Sequence, residues 1–262
     1  RAIRSLQTVE PSQFELLLDH DFGWDDGLIC GGKVFGLILP NAPKCGENFW
    51  NEIAARKSSL AWGVRNDFQI VRVEPRQSSA DLLYQETVEP PCNLWIAGAG
   101  HIAQAVAPLA LQLDFNVTVF DDRPALANHQ FFPKNVHIVA DDWTSLLNVS
   151  FPATPTFGLI VTRGHRHDAL VLRSWIHQPF QFLGMIGSAR KARIIREHFL
   201  EDKIATADQL ERVACPVGIQ IQSQSVSEIA ISIVAQLVQE RANSRDKTGL
   251  AESNPLEQNQ RQ

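Results

Sequence analysis

The sequence predicts an α/β protein in which an open parallel sheet, covered by helices on both faces, follows a smaller α/β region. Three observations carry this. From residue 92 onward, apolar runs at 93–97, 117–120, 136–139, 157–162 and 181–186 alternate with helical patterns near 101–113, 166–177, 188–200 and 225–241. Such alternation marks βαβ units around a buried parallel sheet. The first of these runs, Asn93 to Ala97, ends in Gly98-Ala99-Gly100 and passes at once into a helical pattern starting at His101. The third is Asp121, at the end of the second strand and about twenty residues beyond the glycines, where a ribose-binding carboxylate sits in dinucleotide-binding sheets. Together they make the region 92–241 Rossmann-like.

Each part of the glycine turn has a physical reason. Gly98 permits the turn, Gly100 lets a ligand phosphate approach the backbone, and Ala103 in the third small slot lets helix and strand pack closely. Free N–H groups and the positive helix end make an anion site there. Pro108 falls well inside the first helix and is expected to kink or shorten it.

Residues 1–88 form the first region. Phe14 to Leu18 reads as a short strand or helix, Val34 to Leu39 as a strand stopped by Pro40, Phe49 to Lys57 as a short helix, and Phe68 to Val73 as a half-buried strand. Glu86 to Pro91, with its Pro90-Pro91 pair, is the linker. Residues 242–262 are polar and are expected to be a disordered tail.

The 262 residues are 44% hydrophobic and 20% charged, the composition of a globular protein with a real core. A formal charge of −5 and a pI near 5.9 argue against a nucleic-acid partner. No apolar run is long enough to span a membrane. Cys30, Cys45, Cys92 and Cys215 form no C-x-x-C pair, which fits reduced thiols in a cytoplasmic protein. The start shows neither Met nor a signal-peptide core, as in a processed chain or a fragment.

Five constellations could carry chemistry. Cys30-Gly31-Gly32 offers a thiol on a glycine-rich backbone, either a soft-metal ligand or sulfur relay, or a buried Cys beside a bulge. In Asp121-Asp122-Arg123, Asp121 would bond a ribose diol and Arg123 would favour a 2′-phosphate; the alternative is a solvated turn with an internal ion pair. In Thr162-Arg163-Gly164-His165-Arg166-His167-Asp168, the histidines and Asp168 could hold a metal or act as acid and base, or Asp168 could simply cap the next helix. Gly187-Ser188 opens a helix whose first turns carry Arg190, Lys191, Arg193 and Arg196 against the macrodipole, which points to an anionic ligand or to a solvated basic face. Ser225 and Glu228 fit a capping box at the start of the long helix.

As an ordered set, Gly98-x-Gly100-His101, Asp121-Asp122-Arg123, Gly164-His165-x-x-Asp168, Ile186-Gly187-Ser188-x-x-Lys191, Pro216-x-Gly218 and Glu228-Ile229-Ala230-x-Ser232-Ile233 resemble the C-terminal domain of the xanthine dehydrogenase accessory protein family (XdhC/CoxI). Cys30-Gly31-Gly32 resembles the end of that family's N-terminal domain, and the resemblance implies a chain that starts partway through that domain.

The resemblance implies an assembly factor without turnover of its own. Such a factor binds the molybdenum cofactor (molybdopterin), supports its sulfuration with a cysteine desulfurase, and inserts it into an apo xanthine dehydrogenase-type molybdenum hydroxylase. On this reading Gly98, Gly100, His101, Asp121, Arg123, His165, Gly187, Ser188, Arg190 and Lys191 contact the cofactor, Cys30 suits the metal or sulfur, and Cys30 and His165 are the residues through which chemistry would run. A homodimer through the exposed face of the last helix is a further expectation. The alternative class is an NAD(P)-dependent oxidoreductase with His101 or His165 as acid–base.

Overall fold

The computed structural model describes residues 2–18, 32–74 and 80–247, and the chain divides into two compact units at Pro90/Pro91. In the first unit, α1 (Ala2–Thr8) leads into β1 (Ser12–Leu18), which pairs antiparallel with β2 (Gly32–Ile38). The ambiguous run at 14–18 is therefore a strand. A 3-10 turn (Ala42–Cys45) precedes α2 (Glu47–Ala55), and β3 (Leu60–Arg65), β4 (Ile70–Arg72) and β5 (Leu82–Val88) form an antiparallel sheet with β3 in the centre. Its anchor is Trp62, ringed by Phe49 and Trp50 of α2 and by Tyr84 of β5, at centroid distances of 6.5, 6.1 and 5.5 Å. The expected strand at 68–73 is shorter, and the start of the expected linker is the end of β5.

The second unit holds six parallel strands: β6 (Cys92–Ala97), β7 (Phe115–Asp121), β8 (His137–Ala140), β9 (Thr156–Ile160), β10 (Phe182–Met185) and β11 (Val213–Ala214). Their spatial order is β11-β10-β9-β6-β7-β8. The chain begins in the middle, runs out to one edge, returns, and runs out to the other. This is the doubly wound order, and its switch point lies between β6 and β9.

Side chains along the strands alternate between two cores, as a two-sided sheet requires. On one face Leu94, Ile96, Val117, Val119, Phe157 and Leu159 meet α3 (His101–Gln112) and α8 (Val226–Lys247). On the other, Trp95, Phe120, Ile160 and Met185 meet α4 (Trp143–Leu146), α5 (His165–Trp175), α6 (Ala189–Glu201) and α7 (Ala207–Glu211). Trp95 anchors this second core, with the rings of Phe120, Phe151, Phe180 and Trp175 5.2–6.0 Å away.

Helix α3 buries Ala103, Val106, Ala107 and Ala110, the i, i+3, i+4, i+7 stripe that lays a helix flat on a sheet. Three of the four are alanine, which allows close approach. This packing overrides Pro108: the helix carries it internally and still runs to Gln112. The capping box forms as expected, with Glu228 N–H donating to Ser225 Oγ at 3.2 Å and Ser225 N–H to Glu228 Oε2 at 2.9 Å. Helix α8 continues to Lys247, so the polar stretch expected to be disordered from residue 242 opens with helix.

Candidate functional site

Apart from the capping box of α8, the constellations of the second unit follow carboxyl ends of strands. Gly98–Gly100 follows β6, Asp121–Arg123 follows β7, Thr162–His165 follows β9, Gly187–Ser188 follows β10 and Cys215 follows β11. Open α/β sheets bind ligands along that edge, at the switch point. Strands lie about 4.8 Å apart, so the ends of β6 and β10 are separated by about 10 Å. Helices α3 and α6, however, start on opposite faces of the sheet. A ligand that touches both must cross the edge at β9.

The glycine turn is built for close packing. Gly98 has φ +113° and its N–H donates to Phe120 O at 2.7 Å. A Cβ there would lie 2.4 Å from Val161 O, so its missing side chain accommodates β9 rather than a ligand. Gly100, the N-cap of α3, has open space where a Cβ would stand, as has Gly164 at the start of α5. His101 and His165, the first residues of those helices, are both exposed.

Asp121 is placed as expected but not free for the expected role. It is 1% exposed and accepts four hydrogen bonds. Oδ2 takes Ala99 N–H at 2.7 Å and Arg123 Nη2 at 2.7 Å; Oδ1 takes Arg123 N–H at 2.9 Å and Arg123 Nε at 2.8 Å. Two carboxylate oxygens offer about four lone-pair sites, so no acceptor is left for a ribose hydroxyl. Arg123 is correspondingly engaged and is no free partner for a 2′-phosphate. Burial alone would raise the Asp121 pKa, but the Arg123 hydrogen bonds, Ala99 N–H and the Arg123 charge outweigh it and hold the carboxyl below its usual value.

A second buried carboxylate mirrors the first. Asp168, also 1% exposed, accepts Thr162 Oγ1–H at 2.7 Å and Thr162 N–H at 3.2 Å, and pairs with Lys191 Nζ. Lys191 also donates to Ile186 O at 2.9 Å. Asp168 is therefore not the helix N-cap, which is Gly164, and among the described residues no three His, Cys, Asp or Glu converge. Lys191, expected to meet an anion, instead ties α6 to the β9 loop. Ser188 does cap α6, accepting Lys191 N–H at 3.2 Å. Arg190 is exposed, and Arg193 lies 3.9 Å from Glu197 on the same helix.

Two features carried no assigned role in the sequence. Cys215, joined to Pro216 by a cis peptide, has Sγ 3.2 Å from where a Gly187 Cβ would stand, beside Lys191. Burial raises its pKa; the Lys191 charge opposes this and Asp168 adds to it. Arg163 Nη2 donates to Asp122 Oδ2 at 2.8 Å and lies 3.2 Å from His167 Nε2. Cys30, the expected thiol, lies outside the described residues.

The sequence model of the XdhC Rossmann domain matches residues 94–237, more than half of the chain, from within β6 into α8 and with all the loops just described. The chain belongs to the XdhC family. It is similar to the uncharacterized protein YqeB of Escherichia coli strain K12, at 29% identity over 164 residues, 62% of this chain and 30% of that protein. It is also similar to a probable xanthine dehydrogenase subunit of Bacillus subtilis strain 168, at 27% identity over 160 residues, 61% of this chain and 46% of that protein. The matched stretch thus spans less than half the length of these curated relatives. A crystal structure of a xanthine dehydrogenase from Bacillus halodurans superposes with a TM-score of 0.74 at 22% identity, covering 92% of this chain and 78% of that one, a likeness of fold.

The family assignment rests on the Rossmann domain of this chain. Its described helices include none long and apolar enough to cross a membrane.

Proposed function

We propose that the protein is a maturation factor that binds the molybdenum cofactor, supports its sulfuration by a cysteine desulfurase, and delivers it to an apo molybdenum hydroxylase of the xanthine dehydrogenase type. The observation that carries this reading is the pairing of XdhC family membership with a switch-point edge whose unengaged donors suit an elongated anion. The residues fit the phosphate-bearing end of such a ligand. His101, His165 and Arg190 are exposed there, the first N–H groups of α3 point along the helix axis, and the Gly100 and Gly164 positions border open space. When bound, the cofactor supplies the molybdenum centre that the hydroxylase uses; the chain's own task is to hold its anionic end and shield it.

The second reading, an NAD(P)-dependent oxidoreductase, draws on the strand order, which is that of dinucleotide-binding sheets. Against it stands Asp121, whose four acceptor sites are already filled.

The test is retention. Purified protein is incubated separately with molybdenum cofactor released from a molybdoenzyme, with NAD and with NADP, and bound ligand is measured after gel filtration. Retained pterin, lost on Arg190→Gln, supports the maturation reading. Retained nicotinamide nucleotide with dehydrogenase activity would overturn it.

A further inference from the structure

We propose that Arg163 is an anion-binding residue of the switch-point crevice, held in reserve by Asp122 and handed over to a phosphate-bearing ligand when one enters. This rests on the reading of the crevice as a ligand site and names a residue that would recognise the ligand's anionic part.

The argument starts from topology. Asp122 immediately follows β7 and Arg163 follows β9, while β6 lies between those strands. Their 2.8 Å contact therefore bridges the carboxyl end of β6, beside the glycine turn and across the switch point. Any ligand lodged on Gly98–Gly100 and reaching past β9 has to pass this bridge.

Charge counting gives the second step. Among the described cations of this edge, Arg123 is fixed on buried Asp121 and Lys191 on buried Asp168. Neither carboxylate can be left bare without a heavy penalty. Arg163 differs. It is 43% exposed, its partner Asp122 is 21% exposed, and an ion pair so wetted is held weakly. Asp122 retains a second cation at 3.9 Å, Arg123 Nε, so Arg163 can leave without stranding its partner.

The third step is chemical. A guanidinium presents a planar fork that matches phosphate oxygens as well as it matches a carboxylate. Exchanging Asp122 for a ligand phosphate conserves the Arg163 ion pair while opening the bridge. His167 Nε2, 3.2 Å from Arg163 Nη2, packs against Trp143 at 6.0 Å between ring centroids. It steadies the arginine on the α5 side.

Inorganic pyrophosphate is the probe, titrated into the full chain by calorimetry at low salt, with unfolding curves confirming that each variant is folded. Asp122→Asn releases Arg163 and should bind up to about fivefold more tightly, the equivalent of one exposed ion pair. Arg163→Gln should bind about tenfold or more weakly, the worth of a charge-assisted hydrogen bond. Arg163→Lys should fall between, and the double variant should match Arg163→Gln. Asp208→Asn on α7 makes the same charge change elsewhere and should leave affinity unaltered. If Asp122→Asn gains nothing over Asp208→Asn, or Arg163→Gln binds as the wild type does, the proposal is wrong; pyrophosphate binding to none of the proteins overturns it equally. The molybdenum cofactor is titrated in a separate arm. Failure of every variant to bind it, with the pyrophosphate pattern intact, would remove the maturation reading and keep Arg163 as an anion site.

Discussion

Lys191, in the first turn of α6, reaches back to Asp168 in α5 and closes an ion pair whose acid is 1% exposed. The pair joins the helix after β9 to the helix after β10, and Thr162 of the loop after β9 and Ile186 O complete its hydrogen bonding. Removing one member leaves the other half-paired in a poorly hydrated place. Asp168→Asn should cost about 2–4 kcal/mol, below the full cost for a dry pair because Lys191 keeps some exposure. Urea unfolding at neutral pH measures it. A double replacement, Asp168→Leu with Lys191→Met, should cost less than either single change, and a larger loss would show that the pair is worth more than its desolvation.

Asp121 should write its own signature on the acid limb of stability. Its folded pKa is lowered, so the unfolded chain binds the proton more readily. The contribution is fully present above the unfolded value, about 3.9, and is lost as pH falls through the folded value. Between pH 5 and 8 it is flat. Asp121→Asn should lower stability by about 1–3 kcal/mol at pH 7 and flatten the loss below about pH 4. Unfolding free energies across that range check both.

The architecture of the second unit was open to sequence reading because its signals are local. The glycine turn, the apolar runs and the alanine stripe of α3 each sit within one element. Short elements escaped: α4 has four residues and β11 two, too few to show a period. In the first unit, β3 and β5 went unseen because Gly63 interrupts one and Gln85 and Glu86 make the other half polar. The positions of Asp121 and Lys191 were legible, and so was Arg123 as an ion-pair partner within the Asp121 turn, but their distant partners were not. Ala99 N–H and Asp168 come to them from 22 and 23 residues away, through a fold that no spacing rule encodes.

The two glycines of the turn should separate stability from binding. Gly98→Ala meets Val161 O at 2.4 Å on a backbone at φ +113°, and should destabilise by about 2–4 kcal/mol. Gly100→Ala puts its methyl into open space at φ −76°, and should cost under about 1 kcal/mol as an N-cap change. On the proposed function it should nevertheless weaken cofactor retention. Thermal unfolding and the retention assay, run on both variants, distinguish the two roles.

Cys215 offers a reporter of the Asp168–Lys191 pair. Burial raises its pKa, with Lys191 pulling it down and Asp168 pushing it up. The thiol should therefore react slowly with iodoacetamide at pH 7.5, when modification is followed residue by residue with mass spectrometry. Asp168→Asn removes the upward push and leaves the Lys191 charge unopposed, so the Cys215 rate should rise severalfold; Lys191→Met should slow it further. The raised pKa also sets a sign. Stability from the neutral thiol is fully present below the unfolded value, about 8.5, and falls as pH rises through the folded one. Cys215→Ala should flatten that alkaline loss. An unchanged alkaline limb, or equal alkylation rates in all three proteins, would mean that the thiol does not sense the pair beside it.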